Sequence, residues 1–116
     1  MTEVFEKSSP QNLAGSVSYA SGSIVSKIIT RNEAGNLTLF AFDKGQNLSE
    51  HTAPFDAIIQ VIDGEARVTI DKKAYQVKTG EFIIMPANIP HAVDADEKFK
   101  MLLTMIKEKK EFKVNL

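Results

Sequence analysis

Apolar and polar positions along the chain fall into short β-rich runs set apart by turn residues, and no segment sustains a helical period. "SIVSKIITR" (23–31) is dense in β-branched residues, and "NEAGN" (32–36) reads as a hairpin loop around Gly35. "LTLFAFD" (37–43) returns as a strand that "KGQN" breaks. "DAIIQVI" (56–62) comes after it, then Asp63-Gly64, the strongest short hairpin signal in the chain. In "EARVTID" (65–71) Ala66, Val68 and Ile70 share one face, and Arg67 and Thr69 the other. "AYQVK" (74–78) and "EFIIM" (81–85) come next, and Pro86 stops the second because proline cannot donate to a central ladder. "HAVDA" and "KFKMLLTMI" (98–106) close the series. About eight or nine short antiparallel strands with tight turns predict a sandwich or barrel.

Two runs depart from strict alternation. In "AIIQVI" both faces are apolar apart from Gln60, and in "EFIIM" Ile83 and Met85 lie opposite Phe82 and Ile84. A sheet with one wet face alternates more cleanly, so a second sheet or a second subunit is expected over Ile58, Ile62 or Ile83. The expected core comprises Ala66, Val68, Ile70, Phe82 and Ile84, with Phe40, Phe42, Phe55 and Phe99 also core by alternation. Met85, Met101 and Met105 read as gap-filling core residues, the alternative being that they line a cavity.

With 116 residues the chain has room for one domain. We divide it into an N-terminal extension (1–15), a barrel (16–108) and a C-terminal tail (109–116) that reads as a solvated or swapped edge strand. A net charge of −1 gives no global pull toward nucleic acid or anionic membrane. No stretch has the length of a signal-peptide core or a membrane span, so a cytoplasmic location is the expectation. Cysteine is absent, which removes disulfides, thiolate metal sites and a cysteine nucleophile. No glycine-rich phosphate loop or nucleophile elbow is present.

The chemistry therefore centres on the two histidines. "GQNLSEHTAPFDAIIQVIDG" (45–64) resembles the first motif of the cupins, in which glycine precedes His-x-His, a glutamate and a second glycine. "GEFIIMPANIPH" (80–91) is similar to the second motif, a glycine followed by Pro-x-Gly and a histidine. The resemblance spans about residues 37 to 106 and implies an all-β, double-stranded β-helix fold, a jelly-roll barrel of two packed antiparallel sheets. It also implies a metal site at the barrel mouth, with His51 and His91 at two of the ligand positions. The other two are altered: the second histidine position falls on Ala53 and the glutamate position on Ala57. Asn88 stands at the motif's glycine and can still take a left-handed backbone. Asp56 neighbours the glutamate position but needs a bulge to turn inward.

The resemblance thus implies a pocket lined by His51, Ala53, Phe55, Ala57 and His91, taking a small-molecule ligand. His51 and His91 are also the candidate ligands of a weakly bound divalent metal (zinc, iron, manganese, nickel or copper), with no metal equally consistent. The alternatives are a metal-dependent dioxygenase or isomerase completed by Asp56, water or substrate, and a dimeric interaction module with a vestigial pocket. Catalysis itself is left open. A homodimer is expected, with neither nucleic acid nor membrane as partner.

Overall fold

A computed structural model describes residues 5–107 of the chain. Among these residues nine strands succeed one another: β1 (Ile24–Asn32), β2 (Gly35–Phe42), β3 (Asn47–His51), β4 (Ala57–Asp63), β5 (Glu65–Ile70), β6 (Lys73–Lys78), β7 (Phe82–Met85), β8 (His91–Asp94) and β9 (Phe99–Ile106). A 3-10 turn, Ala14–Ser16, precedes them. The strands form two antiparallel sheets, ordered β1-β2-β9-β4-β7 and β3-β8-β5-β6. This is the expected jelly-roll of two packed sheets. The expected C-terminal tail, and residues 1–4 of the N-terminal extension, lie outside the described residues.

Between the sheets the core gathers Phe42, Ile59, Val61, Val68, Val93, Phe99 and Met101, all at most 2% exposed. Phe42 and Phe99 pair across β2 and β9 and stack, with centroids 4.6 Å apart and planes 14° from parallel. Ala66 and Val68 are fully buried and Ile70 packs against the same cluster, as alternation in β5 predicts.

Phe82 and Ile84 are a correction: they are 64% and 49% exposed, while Ile83 and Met85 turn inward. Pairing with β4 decides the phase, since Ile59 meets Ile83 and Ala57 meets Met85. Buried Ile59 and Ala57 carry their partners to the same face. In an apolar run of four residues nothing local distinguishes the two phases.

The outer face of the five-stranded sheet has a second apolar cluster of its own. Val17, Leu39, Ala41 and Leu102 are buried there, with Phe5, Tyr19, Val25, Ile29, Leu37 and Ile62 packed around them. The expected cover over Ile62 thus comes in part from the chain's own N-terminal segment, which packs on β1, β2 and β9. Burying Val17 there stabilises the fold by on the order of 1.5–3 kcal/mol. Tyr19 latches the segment. Its hydroxyl donates to Asp63 Oδ2 at 2.5 Å, and Lys98 and Lys100 hold their ammonium groups 4.8 and 5.0 Å from its ring centroid. Burial and the Asp63 carboxylate hold the phenol above its ordinary titration range.

Candidate functional site: a two-histidine pocket

His51 ends β3 and His91 begins β8, and the two are register partners across that antiparallel pair. Forty residues of chain separate them, so only the fold brings them together. Their rings meet edge to face, centroids 4.5 Å apart at 72°. His91 is buried, whereas His51 is exposed at the mouth. Asn88 takes the left-handed backbone expected of it (φ +64°) and its N–H donates to the Ala53 carbonyl, tying the loop before β8 to the segment after β3.

Hydrogen bonds fix the tautomers. His51 Nδ1 lies 2.7 Å from the Ser49 carbonyl and His91 Nδ1 lies 3.2 Å from the Ile89 carbonyl. A carbonyl can only accept, so in each neutral ring Nδ1 carries the proton and Nε2 keeps its lone pair. Neither Nε2 has a hydrogen-bond partner among the described residues. Orientation of one ring nitrogen by a carbonyl, leaving the other as donor to a ligand, is the usual outer support of a binding histidine.

The two imidazoles open on a cavity of about 50 Å³ lined by Leu48, Ala53, Ala57, Ile59, Met85, His91, Val93, Met101, Leu103, Met105 and His51. Ala53 and Ala57 are therefore gathered beside both histidines. Phe55 is not: it lines a depression on the outer face with Asp56, Ile58, Ala87, Thr104 and Ile106, and its placement in the pocket is corrected. Asp56 is also held away, because its Oδ1 accepts the Ala87 N–H at 2.8 Å and so pins the loop after β7. The methionines prove to be both core and cavity wall. Arg67 is committed elsewhere, its guanidinium bidentate on Asp96 at 2.9 and 3.0 Å with Asp94 nearby.

No group of three His, Cys, Asp or Glu that could hold a metal ion occurs among the described residues. Two imidazoles fall short of the three protein ligands of catalytic zinc and of the two-histidine-one-carboxylate triad of non-haem iron. The donor set does not fit a resident divalent ion of that kind.

Burial pushes the His91 imidazole below its ordinary titration range, and a charge on His51 pushes it the same way; the hydrogen bond to Ile89 opposes both weakly. A native value below the unfolded one means that the unfolded chain takes up the proton first as pH falls. The stability that neutral His91 contributes is therefore complete above about pH 6.5 and drains away as pH drops through the depressed value. Melting curves between neutral and mildly acid pH should show the wild type losing Tm in that window, with the His91→Gln protein flatter. Parallel curves would mean that His91 is not held neutral by its site.

The comparisons with known proteins agree with this architecture. The cupin domain family model matches residues 38–107, and the chain belongs to that family. A conserved protein of unknown function from Streptococcus pyogenes is 35% identical, over 90% of this chain and 92% of that one, with a TM-score of 0.87. A cupin 2 conserved barrel domain protein from Leptotrichia buccalis is 46% identical over 84% of this chain, with a TM-score of 0.81. The match spans 47% of that longer protein. A cupin superfamily protein from Desulfitobacterium hafniense shares the fold (TM-score 0.85) at 22% identity, over 93% of this chain and 99% of that one. No curated protein matches the chain. No helix among the described residues is long and apolar enough to cross a membrane.

Proposed function

We propose that this cupin is a small-ligand-binding protein whose pocket holds its ligand between His51 and His91, and that it is not a carboxylate-dependent metal enzyme. The observation that carries this reading is the pair of imidazoles in contact at the cavity mouth, neither Nε2 having a hydrogen-bond partner among the described residues. Alanine at positions 53 and 57 supports it, since among the described residues no carboxylate lines the cavity to offset a divalent charge. Size sets the ligand class. Drug-sized ligands occupy roughly 300–1,000 Å³, so a cavity of about 50 Å³ admits an ion or a few heavy atoms, with any larger remainder passing exposed His51 into solvent. A panel of metal ions and small metabolites, screened by thermal shift, should contain at least one compound that raises the wild-type Tm. His51→Ala and His91→Ala should each remove most of that rise, because only native-state binding stabilises by mass action. A panel that leaves the wild type unmoved, or stabilises both variants equally, would reject the reading.

A second copy of this chain is the proposed partner. The N-terminal segment covers only part of the outer face, and edge strand β7 leaves Phe82 and Ile84 exposed on that face, with Ile106 of β9 also bare. Among the described residues no strand pairs with the outer edge of four-residue β7, and isologous pairing of two such patches removes the apolar surface of both. Light scattering should give twice the chain mass, reverting to the single mass in Phe82→Glu without loss of folding. A wild-type monomer at high micromolar concentration would overturn the assembly.

A further inference from the structure

We propose that the ligand this pocket selects is a soft monovalent cation, Cu(I), held by the imidazoles of His51 and His91 and the thioethers of Met85 and Met105. The inference rests on the two-histidine reading above and names the ligand of that site.

Register places the sulfur donors. Ala57 of β4 pairs on one side with Met85 of β7 and on the other with Met105 of β9, so a single row, Met85–Ala57–Met105, crosses the inner face of the five-stranded sheet. All three residues line the cavity that His51 and His91 enter from the opposite sheet. The alanine standing where the cupin motif expects a carboxylate is thus flanked by two methionines. Met101, paired with Val61 farther along β9 and fully buried, forms part of the floor.

Charge and softness then choose the ion. Every donor in the cavity is neutral: two Nε2 lone pairs and the thioethers. The cost of bringing an ion from water into a low-dielectric site rises with the square of its charge, so without an anion a divalent ion meets about four times the penalty of a monovalent one. Thioether sulfur selects Cu(I) over zinc, iron or manganese, and imidazole suits copper as well. Methionine is unbranched and adaptable, so two of them can close on an ion without moving the strands.

The competing account is that these methionines only pack, and exchange of methionine for leucine separates the two, since it conserves volume and usually costs less than about 1.5 kcal/mol. The whole chain, reduced and oxygen-free, is titrated with Cu(I) against the chromophoric chelator bicinchoninate and, separately, with Zn(II). Wild type should take one equivalent of Cu(I) and hold it at least about a hundred-fold more tightly than Zn(II). Met85→Leu/Met105→Leu should keep its metal-free Tm near wild type, lose about ten-fold or more in Cu(I) affinity, and leave Zn(II) binding unchanged. X-ray absorption of the Cu(I) complex should show sulfur scatterers that the double leucine protein lacks. Equal Cu(I) and Zn(II) affinities, or wild-type Cu(I) affinity in the double leucine protein, would overturn the inference. Should Cu(I) fail while a metabolite still stabilises the chain through His51 and His91, the soft-cation inference falls and the pocket reading stands. If neither Cu(I), other ions nor metabolites act through the histidines, both fall.

Discussion

In the Phe99→Ala protein the free energy of unfolding should fall by about 3–5 kcal/mol, the range found when a buried aromatic ring is deleted from a core. Phe99 is fully buried at the start of β9, and its ring stacks on Phe42 of β2 at a centroid distance of 4.6 Å. Both sit between the sheets in the cluster that also holds Ala57, Met85 and Met101, three residues of the cavity wall. The ring's surroundings cannot readily collapse into the gap, because Phe42 and Phe99 are register partners on neighbouring strands and Gly64 of the β4–β5 turn lies so near that a Cβ added there would come within 3.1 Å of Phe99 Cα and Cβ. Against a total stability of about 5–15 kcal/mol for a domain of this kind, such a loss is a large fraction of the whole. Denaturant titration should show the midpoint moving with little change in slope. A loss below about 1.5 kcal/mol would mean that the barrel is not organised around this stack.

The chain announces its sheets through β-branched runs and turn residues, and the strands so marked are found close to where the runs lie. β3, "NLSEH", escapes that reading. Of its residues only Leu48 is apolar, the rest being exposed on a short edge strand, so no alternation signals it. β7 is visible as a strand but not in its phase, which belongs to its pairing with β4. The N-terminal cover is illegible for a different reason. Val17 and Tyr19 are isolated apolar residues in an irregular segment, and burial comes to them from Leu39, Ala41 and Leu102 far along the chain.

At the site, motif spacing was enough to bring His51 and His91 to one place, and likewise the alanines. Phe55 went astray because it lies in the irregular link from β3 to β4, where period-two reasoning does not say which face a residue takes. The methionine row could not be read at all without register, since Met85 and Met105 are twenty residues apart and meet only through Ala57.

Gly35→Ala should be nearly as damaging as loss of the ring, and it should reach the pocket as well. Gly35 opens β2 with φ at +150°, a region essentially closed to residues with a side chain, at a strain of about 1–3 kcal/mol. A Cβ at this position would also overlap the Met105 carbonyl oxygen and press on Ile106 Cα at 3.0 Å. Those contacts are backbone, so no rotamer change relieves them; the end of β9 must shift, at a further cost of about 1–3 kcal/mol. Together the two effects predict a loss of roughly 2–5 kcal/mol. Because the displaced carbonyl belongs to Met105, ligand affinity should weaken even in the fraction that stays folded. Gly80→Ala is the control: its φ of +90° is also positive, but nothing lies within 4 Å of the added carbon, so only backbone strain applies. Gly35→Ala should therefore be destabilised clearly more than Gly80→Ala and should alone lose affinity at the two-histidine pocket. If the two glycine variants melt together and bind alike, contact between the start of β2 and the end of β9 does not hold Met105 in the cavity wall.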